Sequence, residues 1–80
     1  MSYVLEMRDL VVVDPNIMRG KPVVAGTRLT VEYILEQLGQ GHSVEELLAG
    51  HPRLTREGVE AAVRYAIDAL RAERVVSVAR

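Results

Sequence analysis

The sequence contains no Cys, no Trp and no Phe, and three Tyr are its whole aromatic content. Without Cys there can be no disulfide, thiolate metal site or thiol nucleophile. The composition suits a reducing compartment, so a cytoplasmic location is expected. Without Phe or Trp the core has to be aliphatic, assembled from Val, Leu, Ile and Ala. No apolar run is long enough to span a bilayer. The opening Met1-Ser2-Tyr3-Val4-Leu5-Glu6 meets an acid before an apolar stretch develops, so neither a secretory leader nor a membrane partner is expected. Internal repeats, low-complexity segments and linkers are missing too, which leaves residues 1–80 as a single domain. A domain of 80 residues buries a modest share of its surface. With disulfides excluded, pairing with a second copy or another partner is the remaining way to supplement the core, and a homodimer is expected.

A surplus of either charge is lacking as well. The net charge is −1, which argues against a strongly basic nucleic-acid binder. The distribution is uneven. Residues 1–30 carry Arg8, Arg19, Lys21 and Arg28 against Glu6, Asp9 and Asp14, a balance of +1. Residues 31–52 carry Glu32, Glu36, Glu45 and Glu46 with no Lys or Arg, a balance of −4. Residues 53–80 carry six Arg against four acids, a balance of +2. The middle of the chain is a poor face for nucleic acid, and the two ends are better ones.

What is present reads as short strands followed by helices. Leu10-Val11-Val12-Val13 is a β-branched run stopped by Asp14-Pro15-Asn16, a strand and a turn. Arg19-Gly20-Lys21-Pro22 is a second turn, and Val23-Val24 a second strand ended by Ala25-Gly26-Thr27-Arg28. Gly20 and Gly26 can supply positive φ angles on either side of it. Thr30 offers an N-cap oxygen, and Val31, Ile34, Leu35 and Leu38 recur at helical spacing, which predicts a helix over 31–39. Gly39 and Gly41 stop it. Ser43 with Glu46 forms a capping box for a short second helix whose apolar face is Val44, Leu47 and Leu48, ended by Gly50-His51-Pro52. Thr55 caps a longer third helix with the stripe Val59, Ala62, Val63, Ala66, Ile67 and Leu70. Val75-Val76-Ser77-Val78 then reads as extended.

The residues that catalysis needs are not assembled. His42 and His51 sit in turns at opposite ends of a short helix, without the spacing of metal ligands, and read as ordinary turn residues. Gly20-Lys21 resembles the end of a phosphate loop, but Pro22 stands where Ser or Thr is required and no Gly lies five residues before Gly20. Gly26-Thr27-Arg28 lacks Ser-His-Asp partners. The carboxylates are scattered over solvent-facing helix positions. No catalytic residue, cofactor or metal is expected, and the chain reads as a non-enzyme.

Three helices after a capped start suggest a helix-turn-helix core in which the third helix presents its N-terminal turn to a DNA groove. Arg53, Thr55, Arg56 and Arg64 are the candidate DNA contacts. The long connection through Gly50-His51-Pro52-Arg53-Leu54 and the exposed Glu57 and Glu60 count against this reading, and plain architecture is favoured over DNA contact. The valine-rich end has two competing uses: adding a strand to a sheet edge, in this protein's own dimer or in a partner, or pairing with Val11–Val13 of its own chain.

The run Val13-Asp14-Pro15-Asn16-Ile17-Met18-Arg19-Gly20-Lys21-Pro22-Val23-Val24-Ala25-Gly26-Thr27-Arg28-Leu29 resembles the small prokaryotic proteins grouped as the domain of unknown function 433 family. These share an Asp-Pro, a Gly-Lys-Pro or Gly-Arg-Pro and a Gly-Thr-Arg in this order. The likeness continues through Gly41 to Leu48, Pro52-Arg53-Leu54-Thr55 and Arg74-Val75-Val76. Arg19 stands where a second Gly is expected, and Ala25 where a basic residue is expected. The resemblance implies a mainly α fold. Its three-helix, helix-turn-helix-like (homeodomain-like) core would occupy 30–71, with short strands and turns over 10–29 and an extended tail over 72–80. It also implies a dimeric, antitoxin-type protein of a toxin–antitoxin pair, often encoded beside a PIN-like ribonuclease toxin and able to repress its own operon through operator DNA. Such nucleases hold divalent metal with clustered carboxylates, so Arg71, Arg74 and Arg80 are candidates to enter that cluster. The motif residues Asp14, Pro15, Gly20, Lys21, Pro22, Gly26, Thr27 and Arg28 are read as scaffold, with Arg28 forking onto carbonyls or onto Asp14. A DNA-binding regulator without a toxin partner is the alternative.

Overall fold

The structure, a computed structural model, describes residues 10–73. Its first elements are two valine pairs, β1 (Val11–Val12) and β2 (Val23–Val24), joined antiparallel with Val11 opposite Val24 and Val12 opposite Val23. The first strand is shorter than the predicted run, because Val13 already faces solvent. Between them lies a 3-10 turn, Met18–Gly20, and after β2 the chain doubles back so that Val23 bridges Thr30. β1 thus finds its partner in β2; the strand predicted over 75–78 lies outside the described residues.

Three helices follow, α1 (Val31–Gly39), α2 (Val44–Gly50) and α3 (Arg56–Glu73). Each begins where a hydroxyl can satisfy an orphan N–H. The Tyr33 N–H donates to Thr30 Oγ1 at 2.9 Å, the Glu46 N–H to Ser43 Oγ at 3.0 Å, and the Gly58 N–H to Thr55 Oγ1 at 3.0 Å. At α2 the capping box is complete, since the Ser43 N–H donates back to Glu46 Oε1 at 2.8 Å. The turn after α1 uses Gly41 at φ +98°, a conformation that only Gly adopts cheaply. α3 continues to Glu73, two residues into the segment read as tail, because Ala72 and Glu73 are good helix formers with no breaker before them.

The core is aliphatic, as expected. Val24, Val31, Ile34, Leu47, Leu54, Val59 and Ala62 form one buried cluster, with Ile34 and Ala62 fully enclosed. α3 packs across α1, α2 and both strands, so one helix touches every other α-helix and strand. No helix among the described residues is long and apolar enough to cross a membrane.

Candidate functional site

The Asp-Pro to Gly-Thr-Arg segment is a set of interlocked turns. Asp14 Oδ1 accepts from the Asn16 N–H at 2.8 Å, its carbonyl accepts from the Ile17 N–H at 2.9 Å, and Pro15 fixes φ between them. Met18, Arg19 and Gly20 all have positive φ, at 50°, 58° and 84°. Arg19 therefore occupies a left-handed position, which explains why Gly is the residue expected there. Gly26, at φ +80°, turns the chain after β2. Thr27 locks that turn: its hydroxyl donates to the Val24 carbonyl at 2.8 Å and accepts from the Leu29 N–H at 3.0 Å. The Pro22 carbonyl accepts from the Val31 N–H, tying the motif to the start of α1. Lys21 reaches Glu32 at 3.9 Å in an exposed pair.

The role expected of Arg28 is corrected. Its guanidinium forks onto neither Asp14 nor a carbonyl among the described residues; Thr27 closes the turn, and Arg28 is left exposed. There it joins Arg53. A cleft of ≈ 360 Å³ runs between the 27–29 loop and the 51–54 turn, lined by Thr27, Arg28, Leu29, His51, Pro52, Arg53 and Leu54. Neither arginine is paired with an acid among the described residues, and no acid lines the cleft. Its floor is apolar through Leu29, Pro52 and the buried Leu54. His51 is more than a turn residue. Its Nε2 lies 3.3 Å from the Tyr33 hydroxyl and its ring meets Tyr33 edge-on, which fixes the turn against α1.

The candidate DNA contacts do not form one surface. Thr55 spends its hydroxyl on the cap of α3. Arg56 is held by Glu45 at 2.7 Å across the α2–α3 corner. That hydrogen-bonded pairing raises the Arg56 pKa and lowers that of Glu45, so both stay ionised. Glu46 is lowered too, chiefly by the hydrogen bond from the Ser43 backbone. Arg53 lies in the cleft with Arg28, whereas Arg64 lines a different groove.

That second groove, of ≈ 600 Å³, follows α3 and is lined by Leu38 and Val44 on one side and Val59, Glu60, Val63, Arg64, Ile67, Asp68 and Arg71 on the other. Beyond it α3 outruns the core: Ile67 is 42% exposed and Leu70 60%. Arg71 is exposed near the end of this projecting arm; Arg74 and Arg80 lie outside the described residues. Sequence reasoning misses Gly58. A Cβ there would come within 2.9 Å of Val24 Cγ1, so α3 approaches β2 as closely as it does only because residue 58 has no side chain. A Gly just inside a capped helix start is the available signal. Among the described residues, no three His, Cys, Asp or Glu converge as a metal site.

Comparison with known proteins shows the family and the fold. The family model described as "Protein of unknown function (DUF433)" matches residues 11–66, more than half of the chain. The uncharacterized protein y4eO of Sinorhizobium fredii is 41% identical over 59 residues, covering 74% of this chain and 27% of that protein. The chain therefore spans about a quarter of the length of that relative. The crystal structure of a DUF433 member from Anabaena variabilis superposes with a TM-score of 0.75 at 28% identity, over 88% of this chain and 69% of that one.

Proposed function

This chain belongs to the DUF433 family of proteins of unknown function, and from that premise we propose that it is a non-catalytic, antitoxin-type binding protein that neutralises a PIN-like ribonuclease. The observation that carries this reading is the projecting end of α3. Ile67 and Leu70 are apolar side chains left in solvent on a helix that has already satisfied the core. Exposed apolar residues at the end of an element favour a protein partner. Arg71 is exposed on this arm, and Arg74 and Arg80 follow it in sequence, outside the described residues. The apolar pair anchors the partner, and an arginine reaches its carboxylate cluster, where a guanidinium forks onto two oxygens and takes the place of the divalent metal. The test is ribonuclease activity of the partner encoded beside this chain, titrated with full-length protein and with a variant lacking 72–80. Full-length protein should abolish activity near equimolar ratio and the truncated one should leave it intact. Equal inhibition by both would refute the arm mechanism.

A second reading is favoured by the acid-free cleft. In it Arg28 and Arg53 grip phosphates of operator DNA, with the helix-turn-helix-like arrangement as frame, while Arg56 is withheld by Glu45. Binding to the chain's own promoter should then weaken steeply with salt, and Arg28→Ala with Arg53→Ala should flatten that dependence. Absence of promoter binding at low salt would dispose of this reading.

A further inference from the structure

The cleft between the 27–29 loop and the 51–54 turn is not used by the arm mechanism, and both of its walls are tied in place. On one wall the Thr27 hydroxyl donates to the Val24 carbonyl and accepts from the Leu29 N–H, so the loop that carries Arg28 is fastened to β2. On the other the Leu54 N–H donates to the His51 carbonyl at 2.9 Å, and the His51 ring meets Tyr33 of α1, so the turn that carries Arg53 is fastened to that helix. Arg28 and Arg53 line one cleft of ≈ 360 Å³ over an apolar floor, with no acid among the lining residues. By contrast Lys21 and Arg56 each have a carboxylate partner. Like charges held in one cleft repel, and an anion bound between them relieves both.

We propose that this cleft is a binding site for a phosphomonoester with a flat apolar body. A phosphomonoester carries about two negative charges near neutral pH and three free oxygens, enough to accept from two guanidinium forks. A carboxylate carries one charge and two oxygens, which a single arginine fork already satisfies. Each phosphodiester of a DNA backbone also carries one charge, and a duplex reaches beyond the cleft, where the start of α3 presents Glu57 and Glu60 to solvent. A ligand compact enough to stay in the cleft meets neither acid. Its body lies on Leu29, Pro52 and the buried Leu54, and a guanidinium plane stacks on a flat ring. The cleft falls within the range of about 300–1,000 Å³ usual for small-molecule sites. Because both walls are tied before a ligand arrives, little ordering cost is left for binding. The phosphoryl group is the chemistry that this site shares with the DNA reading, and the body attached to it is what differs. The arm mechanism uses none of these residues, so it and the cleft stand or fall separately.

The test is a titration of the full chain, followed by the NMR shifts of its backbone amides, with three probes: 1-naphthyl phosphate, inorganic phosphate and a duplex of the chain's own promoter. Naphthyl phosphate should shift the amides of Arg28, Leu29, Arg53 and Leu54, and should bind about tenfold more tightly than inorganic phosphate because its rings cover the apolar floor. Arg28→Ala and Arg53→Ala should each weaken it about tenfold, the usual effect of losing a charge-assisted hydrogen bond. Arg64→Ala, in the other groove, should leave its affinity unchanged. All three arginines are exposed, and circular dichroism checks that each variant keeps its fold. Several results would overturn the proposal: no shift at the cleft, inorganic phosphate bound as tightly as the naphthyl ester, or both cleft variants binding undiminished. A promoter duplex that displaces naphthyl phosphate and binds more tightly would also overturn it, and would give the cleft to DNA.

Discussion

At the scale of single residues, two positions decide how the backbone runs, and they differ in how visible they are. Arg19 is legible: a Gly is expected in its place, and the chain turns left-handed there at φ 58°. Arg19→Gly should raise stability by about 1 kcal/mol, the usual cost of that conformation for a residue with a Cβ, reduced by the greater freedom of Gly in the unfolded chain. A urea midpoint that falls would show that the Arg19 side chain contributes something the geometry does not reveal. Gly58 is legible only as a Gly just inside a capped helix start, because nothing local in the sequence says that the Val24 side chain lies 2.9 Å from where its Cβ would stand. Gly58→Ala improves helix propensity by about 1 kcal/mol. It should still destabilise the protein, because overpacking a tight contact costs about 1–3 kcal/mol. A more stable alanine variant would mean that α3 and β2 separate freely. The Thr27 hydroxyl belongs with these positions. The motif is visible in sequence, but which side chain closes its turn depends on atoms from β2, and that is Thr27 in place of the expected Arg28.

At the scale of elements, the helices are the most legible part. Periodic apolar residues and hydroxyl caps place α1 at 31–39 and set the starts of α2 and α3, because those signals are local. Their contacts with one another are not legible. Ile34 is the fully buried centre of the cluster, and Ile34→Ala should cost about 2–5 kcal/mol through lost transfer energy and the cavity left behind. Thermal unfolding that shifts only slightly would place the core elsewhere. The Glu45–Arg56 bridge joins α2 to α3 and is invisible in sequence, since the two residues are 11 apart. It also carries a pH dependence. The hydrogen bond from Arg56 holds Glu45 below its ordinary pKa in the folded protein. A carboxylate lowered by folding stabilises the fold fully above its unfolded pKa, and that contribution is lost as pH falls through the folded value. Glu45→Gln should therefore flatten the acid limb of stability against pH while leaving the neutral limb's shape unchanged. Because the pair is exposed, the effect should shrink in high salt. An acid limb identical to wild type would mean that Arg56 and Glu45 do not meet in solution.

At the scale of the whole molecule, composition excludes disulfides and thiol chemistry, and the net charge near zero weakens a DNA-first reading. What it cannot give is the grouping of the arginines. Arg53 and Arg64 fall in different grooves, Arg53 beside Arg28 and Arg64 with Arg71. That division separates the acid-free cleft of Arg28 and Arg53 from the α3 groove, where Glu60 and Asp68 stand among the arginines, and it arises only once α3 lies across both strands. The exposed Ile67 and Leu70 beyond the core are why the proposed function is placed on the α3 arm and not on the cleft. The most direct measurement is co-expression with the product of the adjacent gene, followed by size-exclusion chromatography with mass detection. A defined complex containing both chains, lost on deleting 72–80, is expected. Clean separation, with this chain eluting free of the neighbouring product, would contradict the antitoxin-type reading and leave the Arg28–Arg53 cleft as the surface to pursue.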